Sequence, residues 1–144
     1  MGEINLSEIK ITPLRRIATD GGDVMHVIKQ SDVGYNGFGE AYFSLIQKGA
    51  VKAWKCHTKM TMNIIVPVGC VRFVFHCRKE QNYRVEEIGV DNYNRITVPP
   101  GIWFGFQGLI MPVSLILNVA NIPHDPTEVE RLPEASFTYP WETL

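Results

Sequence analysis

The chain has 144 residues, of which 45% are hydrophobic and 20% are charged, enough for one well-filled core but short for two. We therefore predict a single domain over residues 1–144. The formal net charge is −1 and the lysines and arginines are scattered, which argues against a nucleic-acid partner. No run of about 18 apolar residues occurs, and the N-terminus lacks a secretory pattern, so we expect a cytoplasmic protein with no membrane partner.

Short runs rich in Val, Ile, Phe and Tyr recur along the chain, with Gly, Pro or Asn between them. This pattern predicts an all-β barrel or sandwich. No segment keeps a helical period over a dozen residues, although residues 126–131 could form one helical turn. In chain order, the predicted strands cover residues 24–28, 41–47, 51–57, 62–68, 71–77, 83–88, 95–98 and 114–120.

Two of these strands alternate clearly, because successive side chains of a strand point to opposite faces. In the strand over 71–77, the face predicted to enter the core carries Val71, Phe73, Phe75 and Cys77. In the strand over 51–57, Lys55 and His57 share one face, opposite the face of Lys52, Trp54 and Cys56. Two ionisable side chains are therefore expected together, across the strand from a large aromatic ring.

Prolines mark two further features. The PPG segment at residues 99–101 predicts a tight turn before the aromatic residues 102–106, because proline does not fit a central strand and glycine allows a positive φ. The tail over 133–144 holds two more prolines and the aromatic residues Phe137, Tyr139 and Trp141. We predict that this tail is an extended C-terminal arm that packs on the body or on a neighbouring subunit.

The spacing of Gly49, Gly69 and the PPG segment at 99–101 resembles that of the two cupin motifs. In that frame, the positions of the usual metal ligands hold Lys55, His57, Met62 and Phe104. A transition-metal site needs three or four N, O or S donors that converge, and a neighbouring ammonium repels the cation. We therefore predict no bound metal and no other cofactor.

Five sequence blocks carry a more specific resemblance: GDVMH at 22–26, GEAYFS at 39–44, AWKCHTKMTMN at 53–63, PPGIWFGF at 99–106 and PHDPTE at 123–128. Together they resemble the short members of the dTDP-4-dehydrorhamnose 3,5-epimerase family. The resemblance implies a metal-free cupin, an all-β jelly-roll barrel also called a double-stranded β-helix. It also implies a homodimer that acts on a nucleotide sugar, a nucleoside diphosphate 4-keto-6-deoxyhexose, by cofactor-free proton transfer.

The family's reaction uses a histidine base, a lysine that steadies the enolate and a tyrosine that returns a proton. In this chain those positions fall on Lys55, near Met62 and on Asn118. One alternative is therefore a catalytically inactive cupin that binds a sugar nucleotide or a carbohydrate. Another is a 3,4-ketoisomerase, although this chain does not match the GFHAHK-type segment usual in those enzymes.

We single out eight residues as candidates for the site. His57 is a candidate base, and a desolvated Lys55 could act as a base or a nucleophile beside it. Lys52 and Lys59 could hold a diphosphate as point charges. The other predicted substrate-binding residues are Asn63, Trp103, Phe104 and Asn118.

Overall fold

The computed structural model describes residues 4–144, which form twelve β-strands and two 3₁₀ helices of one turn each. The helices cover Leu6–Glu8 and Glu134–Ser136. The strands are β1 (Lys10–Pro13), β2 (Arg16–Ile17), β3 (Val24–Met25), β4 (Glu40–Gln47), β5 (Val51–His57), β6 (Met62–Val68), β7 (Cys70–His76), β8 (Arg84–Gly89), β9 (Asn94–Val98), β10 (Trp103–Gly108), β11 (Val113–Ala120) and β12 (Val129–Arg131).

Two antiparallel five-stranded sheets enclose the core. Their strand orders are β1-β9-β6-β11-β4 and β12-β5-β10-β7-β8, and β2 pairs with β3 in a separate small ribbon. Strands adjacent in space are mostly distant in sequence, which is the topology of a jelly roll rather than a series of hairpins. The all-β cupin fold predicted from the sequence is confirmed. Strands β4 and β12 are each the edge strand of their sheet.

The main core lies between the two sheets and follows the alternation of the strands. Val71, Phe73 and Phe75 of β7 are fully buried in it, as the sequence predicts. Val74, on the opposite face of β7, is also fully buried, because a second cluster covers the outside of this sheet. The sequence could not show that both faces of β7 are covered.

Residues 133–144 form this outer layer by packing on the body of their own chain. Phe137, Tyr139 and Trp141 of this C-terminal arm pack against a cluster that contains Trp54 and Trp103. Hydrogen bonds fasten the arm at both ends: Trp54 Nε1 donates to the Glu134 carbonyl over 2.9 Å, and Gln107 Nε2 donates to the Glu142 carbonyl over 2.7 Å.

Several predicted elements differ from the structure. Residues 126–131 make no helical turn; a tight turn is followed by β12, which pairs with β5. The aromatic segment after the PPG turn is β10, a central strand of its sheet, and β1 and β2 were not predicted as strands. In addition, the strand predicted over 24–28 shortens to β3.

Among residues 4–144, no helix has the length and hydropathy needed to cross a lipid bilayer.

A register shift between β5 and β10 corrects the predicted faces of β5. Phe104 pairs with Lys55 and Phe106 pairs with Lys52, whereas Trp54 has no partner residue in β10. Both phenylalanines belong to the inner core, and residues paired across an antiparallel ladder point to the same side. Lys52 therefore points inward with Lys55, and not outward with Trp54, because the extra residue of a bulge interrupts the alternation.

Candidate active site

A cavity of about 270 Å³ lies where the two sheets come apart, between the edge strands β4 and β12. The inward-facing end of β5 forms its floor. Six of its eight lining residues carry a polar or charged group that could meet a ligand. The lining residues are Glu40, Tyr42, Lys55, His57, Met60, His124, Val129 and Arg131.

His57 and Glu128 form a buried pair at this cavity, with 6% and 2% of their surface exposed. Nδ1 of His57 contacts Oε1 of Glu128 in a short hydrogen bond. The second oxygen, Oε2, accepts the backbone N–H groups of Lys59 and Met60 over 3.0 and 3.1 Å. Both oxygens of the carboxylate are therefore engaged, which fixes its orientation and that of the imidazole ring.

The turn before β12 brings Glu128 to this position. Oδ1 of Asp125 accepts the backbone N–H of Thr127 over 2.9 Å and its hydroxyl over 2.7 Å. Thr58 completes the junction, since its hydroxyl donates to the Glu128 carbonyl over 2.7 Å. The PHDPTE block is thus a turn, as expected, and the glutamate at its end contacts His57, which the sequence interpretation did not predict.

Burial and hydrogen bonding set the protonation states of the pair. Burial lowers the pKa of His57 from its ordinary value and outweighs the opposing effect of Glu128, so the ring is neutral at pH 7. For Glu128, burial acts to raise the pKa, but the hydrogen bonds from His57, Lys59 and Met60 prevail and lower it. The ionised carboxylate of Glu128 accepts a hydrogen bond from Nδ1–H, which leaves Nε2 of the neutral ring as an unprotonated acceptor.

Nε2 of His57 is the chemically open group of the pair. It is buried and has no hydrogen-bond partner among the described residues. The ring of Phe104 stacks on the imidazole at a centroid distance of 6.1 Å and an interplanar angle of 17°. Because native structures rarely leave a buried ring nitrogen unsatisfied, this atom marks the place where a ligand proton belongs.

Tyr42 and Asn118 form a second polar pair beside the cavity. They are direct cross-strand partners in β4 and β11. Nδ2 of Asn118 lies 3.1 Å from the Tyr42 hydroxyl oxygen and donates to it, whereas its buried Oδ1 has no partner among the described residues. Asn118 therefore orients the tyrosine hydroxyl at the wall of the cavity.

A neighbouring cavity of about 310 Å³ extends the site along β5. Lys55 and Arg131 line both cavities, and Lys52 lines the second together with Phe104. The pKa of Lys55 is lowered by burial, and the charges of Arg131 and Lys52 lower it further. The site thus combines one neutral base with three cationic side chains.

The structure does not bring three of the predicted residues to this site. Asn63 accepts the Thr97 hydroxyl over 2.6 Å and donates to the Gly34 carbonyl over 3.0 Å, so its amide fastens a loop. Trp103 lies in the outer cluster under the C-terminal arm. Lys59 contributes its backbone N–H to Glu128, and its side chain lines neither cavity.

Five polar or charged residues at the site were not among those predicted from the sequence: Glu40, Tyr42, His124, Glu128 and Arg131. Alternation along the strand over 41–47 places Tyr42 and Phe43 on opposite faces, but it does not tell which face is inward.

In the described part of the chain, no group of three or more His, Cys, Asp or Glu side chains could hold a metal ion. The residues present therefore do not fit the metal site that is common in cupins.

Fold and site together define a cupin-type barrel with a histidine-carboxylate pair at its open edge. The solved structures that it resembles include a dTDP sugar isomerase from Desulfovibrio desulfuricans G20, with 33% identity, 93% of this chain and 90% of that chain covered, and a TM-score of 0.88. Because of this similarity, the chain belongs to the RmlC-like family of dTDP-sugar epimerases and isomerases.

Two more distant structures share the fold. One is a sugar 3,4-ketoisomerase from Thermoanaerobacterium thermosaccharolyticum in complex with TDP, with 16% identity, 89% and 90% of the two chains covered and a TM-score of 0.75. The other is a dTDP-4-dehydrorhamnose 3,5-epimerase from Bacillus anthracis with TDP and pyrophosphate bound, with 17% identity, 99% and 89% covered and a TM-score of 0.76. No protein-family model and no curated protein matches the chain.

Proposed function

We propose that the chain catalyses cofactor-free proton transfer at a carbon next to the ketone of a nucleoside diphosphate 4-keto-6-deoxyhexose. The observation that carries this proposal is the neutral His57 ring, which Glu128 holds at Nδ1 and whose Nε2 has no hydrogen-bond partner within residues 4–144. A general base for carbon acids needs this combination of a fixed tautomer and an open, unprotonated nitrogen. The nucleotide comes from the relatives, two of which contain TDP, and the sugar class comes from the dTDP-sugar epimerase and isomerase family.

The residues of the cavity suit each step of such a transfer. Nε2 of His57 takes the proton, and the electron pair of the C–H bond converts the neighbouring ketone to an enolate. The ammonium of Lys55 lines the same cavity and stabilises the negative oxygen. The Tyr42 hydroxyl, held by Asn118, returns a proton to carbon. Exchange with water then restores both side chains.

These roles differ from those that the family pattern assigns by position. The family's histidine, lysine and tyrosine positions fall here on Lys55, near Met62 and on Asn118. In this proposal the base is His57, two residues beyond Lys55 on the same face. The proton-donating hydroxyl is that of Tyr42, the cross-strand partner of Asn118. The chemical groups are retained, but they come from neighbouring positions.

A second candidate function is binding of a nucleotide sugar without catalysis. The substitutions at all three family positions favour it, since they remove the residues that relatives use for chemistry. A 3,4-ketoisomerase remains the alternative within catalysis, because it begins with the same proton abstraction. It then returns the proton to the neighbouring carbon.

Incubation with dTDP-4-keto-6-deoxyglucose in deuterated water separates these functions. The proposal predicts, by NMR, either deuterium at C3 or C5 of the sugar with retention of the 4-ketone, as for an epimerase, or deuterium at C4 with appearance of a 3-ketone, as for an isomerase. Saturable binding without exchange would contradict catalysis and support the binding function. The matched control is the variant His57→Asn under identical conditions.

We also propose that the protein is a homodimer. The outward face of the β4 edge carries the apolar side chains Phe43 and Leu45, which are 63% and 58% exposed. They lie opposite Leu117 and Leu115 of β11, so the apolar face is continuous across two strands. An exposed apolar edge strand is normally covered in soluble proteins. Sedimentation should show a dimer that Phe43→Asp converts to monomer; a monomeric parent protein would contradict the proposal.

A further inference from the structure

Met60 contacts both polar pairs of the site. Its backbone N–H donates to Oε2 of Glu128 over 3.1 Å, and its sulfur accepts a hydrogen bond from Nδ2 of Asn118 over 3.8 Å. The side chain is 1% exposed and lines the cavity together with His57 and Tyr42. One buried residue is therefore bonded to the partner of the base and to the partner of the tyrosine.

The thioether of Met60 determines which atom of the Asn118 amide faces Tyr42. A thioether sulfur accepts hydrogen bonds but cannot donate them, so it favours the amide N–H over the amide oxygen. With Nδ2 on this side, one N–H donates to the sulfur and the other donates to the Tyr42 hydroxyl oxygen over 3.1 Å. The opposite orientation would place Oδ1 against the sulfur and deprive both N–H groups of these acceptors, and buried N–H groups are rarely left unpaired.

The direction of this hydrogen bond decides what the Tyr42 hydroxyl can do. Asn118 donates to the hydroxyl oxygen, so it uses a lone pair of that oxygen and does not take the hydroxyl proton. Within the described part of the chain, the hydroxyl proton of Tyr42 has no acceptor. The proton is therefore available to a ligand in the cavity that Tyr42 lines.

We propose that Met60 and Asn118 are positioning residues that keep Tyr42 a proton donor toward the ligand. This inference rests on the proposed function, since it assigns the groups that prepare its second proton transfer. The backbone N–H of Met60 acts through Glu128 on His57, whereas the sulfur acts through Asn118 on Tyr42. Only the second connection uses the side chain of Met60, so a substitution can weaken that connection alone.

Met60→Leu should slow the second proton transfer and leave the first one intact. Leucine replaces methionine at similar volume and keeps the backbone N–H, but it offers no acceptor to Asn118. Product formation should fall by about twofold to fivefold, the range of a weak hydrogen bond. When Tyr42 does not protonate the enolate, His57 returns a solvent-derived deuteron to the carbon it came from, so deuterium exchange into unconverted substrate should continue at the parent rate.

Asn118→Asp should produce the same division with a larger effect. An ionised carboxylate can only accept, so the Tyr42 hydroxyl would donate to it and turn its proton away from the cavity. Product formation should fall by about tenfold to a hundredfold, the range of a hydrogen bond to a charged group. Exchange into unconverted substrate should again persist, because His57 and Glu128 are untouched.

NMR of dTDP-4-keto-6-deoxyglucose incubated in deuterated water measures both rates in one sample. The ratio of substrate exchange to product formation should rise from the parent protein to Met60→Leu and again to Asn118→Asp. Met62→Leu is the matched control, because Met62 is another buried core methionine but lines neither cavity of the site. An equal fall of both rates in the two variants, or the same change of ratio in Met62→Leu, would overturn the inference.

Neutron diffraction of the deuterium-exchanged protein separates this inference from the catalytic proposal, because it needs no turnover. We expect deuterons on the amide atom of Asn118 that faces the Tyr42 hydroxyl oxygen, and the Tyr42 deuteron directed into the cavity. A Tyr42 deuteron directed at Asn118 would overturn the inference even in an active protein. The expected deuterons in a parent protein that exchanges no deuterium into the sugar would refute the catalytic proposal and leave the positioning of Tyr42 standing.

Discussion

Strand β5 has two faces that differ in how their polar groups are satisfied. On the outward face, the indole N–H of Trp54 donates to the Glu134 carbonyl over 2.9 Å, and its ring packs on Phe137 at a centroid distance of 5.3 Å. On the inward face, Nε2 of His57 has no hydrogen-bond partner in the described part of the chain, and Lys55 faces Arg131. One strand thus carries a completed structural contact and an incomplete polar site.

The difference separates the polar groups that stabilise the fold from the polar groups that are available to bind a ligand. Folded proteins pair their buried polar groups, so a strand that satisfies one face and leaves the other open has its unsatisfied atoms at the functional side. Substitutions on the inward face should therefore change activity with little effect on stability. Substitutions under the arm should do the reverse.

The largest expected effect is that of His57→Asn. Loss of the general base should lower turnover by about 10² to 10⁴ while the fold persists, because asparagine is polar and smaller than histidine. Turnover and the urea midpoint measured on the same preparation would check both statements. If the midpoint collapsed with the activity, the inward face would be structural too, and the contrast between the faces would fail.

Glu128→Gln should reduce turnover less, by roughly tenfold to a hundredfold, the range of a hydrogen bond between charged groups. The amide oxygen can still accept from Nδ1 of His57, but the negative charge that steadies the protonated ring is lost. The amide NH2 also cannot accept the backbone N–H groups of Lys59 and Met60, as Oε2 does. Steady-state kinetics should show the change in kcat rather than KM. The control is Glu130→Gln, since Glu130 is an exposed glutamate of β12, two residues beyond Glu128. A similar loss of kcat in the control would contradict a specific role of Glu128.

Phe137→Ala tests the outward face. Its ring contacts Trp54, Trp103 and His76, and its removal should lower the free energy of unfolding by about 2 kcal/mol through lost apolar burial and ring contacts. Urea denaturation gives the stability, and kcat per folded molecule should remain close to the parent value. A loss of kcat without a loss of stability would show that the arm serves the chemistry.

The smallest expected effect is on pH dependence. Because the pKa of His57 is lowered, the acidic limb of kcat/KM should lie below pH 6.5, the ordinary histidine value. The folded chain also binds protons at His57 and Glu128 less readily than the unfolded chain. The free energy of unfolding should therefore fall as pH drops below about 6.5 and fall further below about 4.5. An acidic limb above pH 6.5 would contradict the assigned environment of His57.

Local periodicity was enough to predict most strands and the core face of β7. It failed where a long-range contact decides the outcome. Trp54 interrupts the alternation of β5, because the pairing register between β5 and β10 shifts at this residue. In β10, two glycines weaken the strand pattern of the sequence. Gly105 is required there, since a Cβ atom would lie 2.6 Å from Ala53 Cβ and 3.2 Å from the Trp54 ring.

The candidate site was predictable only in part for the same reason. His57, Lys55 and Phe104 lie in motifs that mark the barrel mouth, and the structure brings them together. Glu128 contacts His57 from the turn before β12, and Tyr42 lines the cavity from β4. Both are far from His57 in sequence, so only the tertiary fold makes them neighbours. Asn63 lies away from both cavities, because its amide pairs with Thr97 and Gly34, which are equally distant along the chain.

The central claim is that the inward face of β5 holds a neutral histidine with an open Nε2. Nitrogen-15 NMR of the imidazole rings, with His57→Asn used for assignment, measures this state directly. We predict that at pH 7 His57 carries its proton on Nδ1, that Nε2 is unprotonated, and that the ring stays neutral until the pH falls below 6.5. A ring that is protonated on Nε2, or doubly protonated at pH 7, would contradict the account.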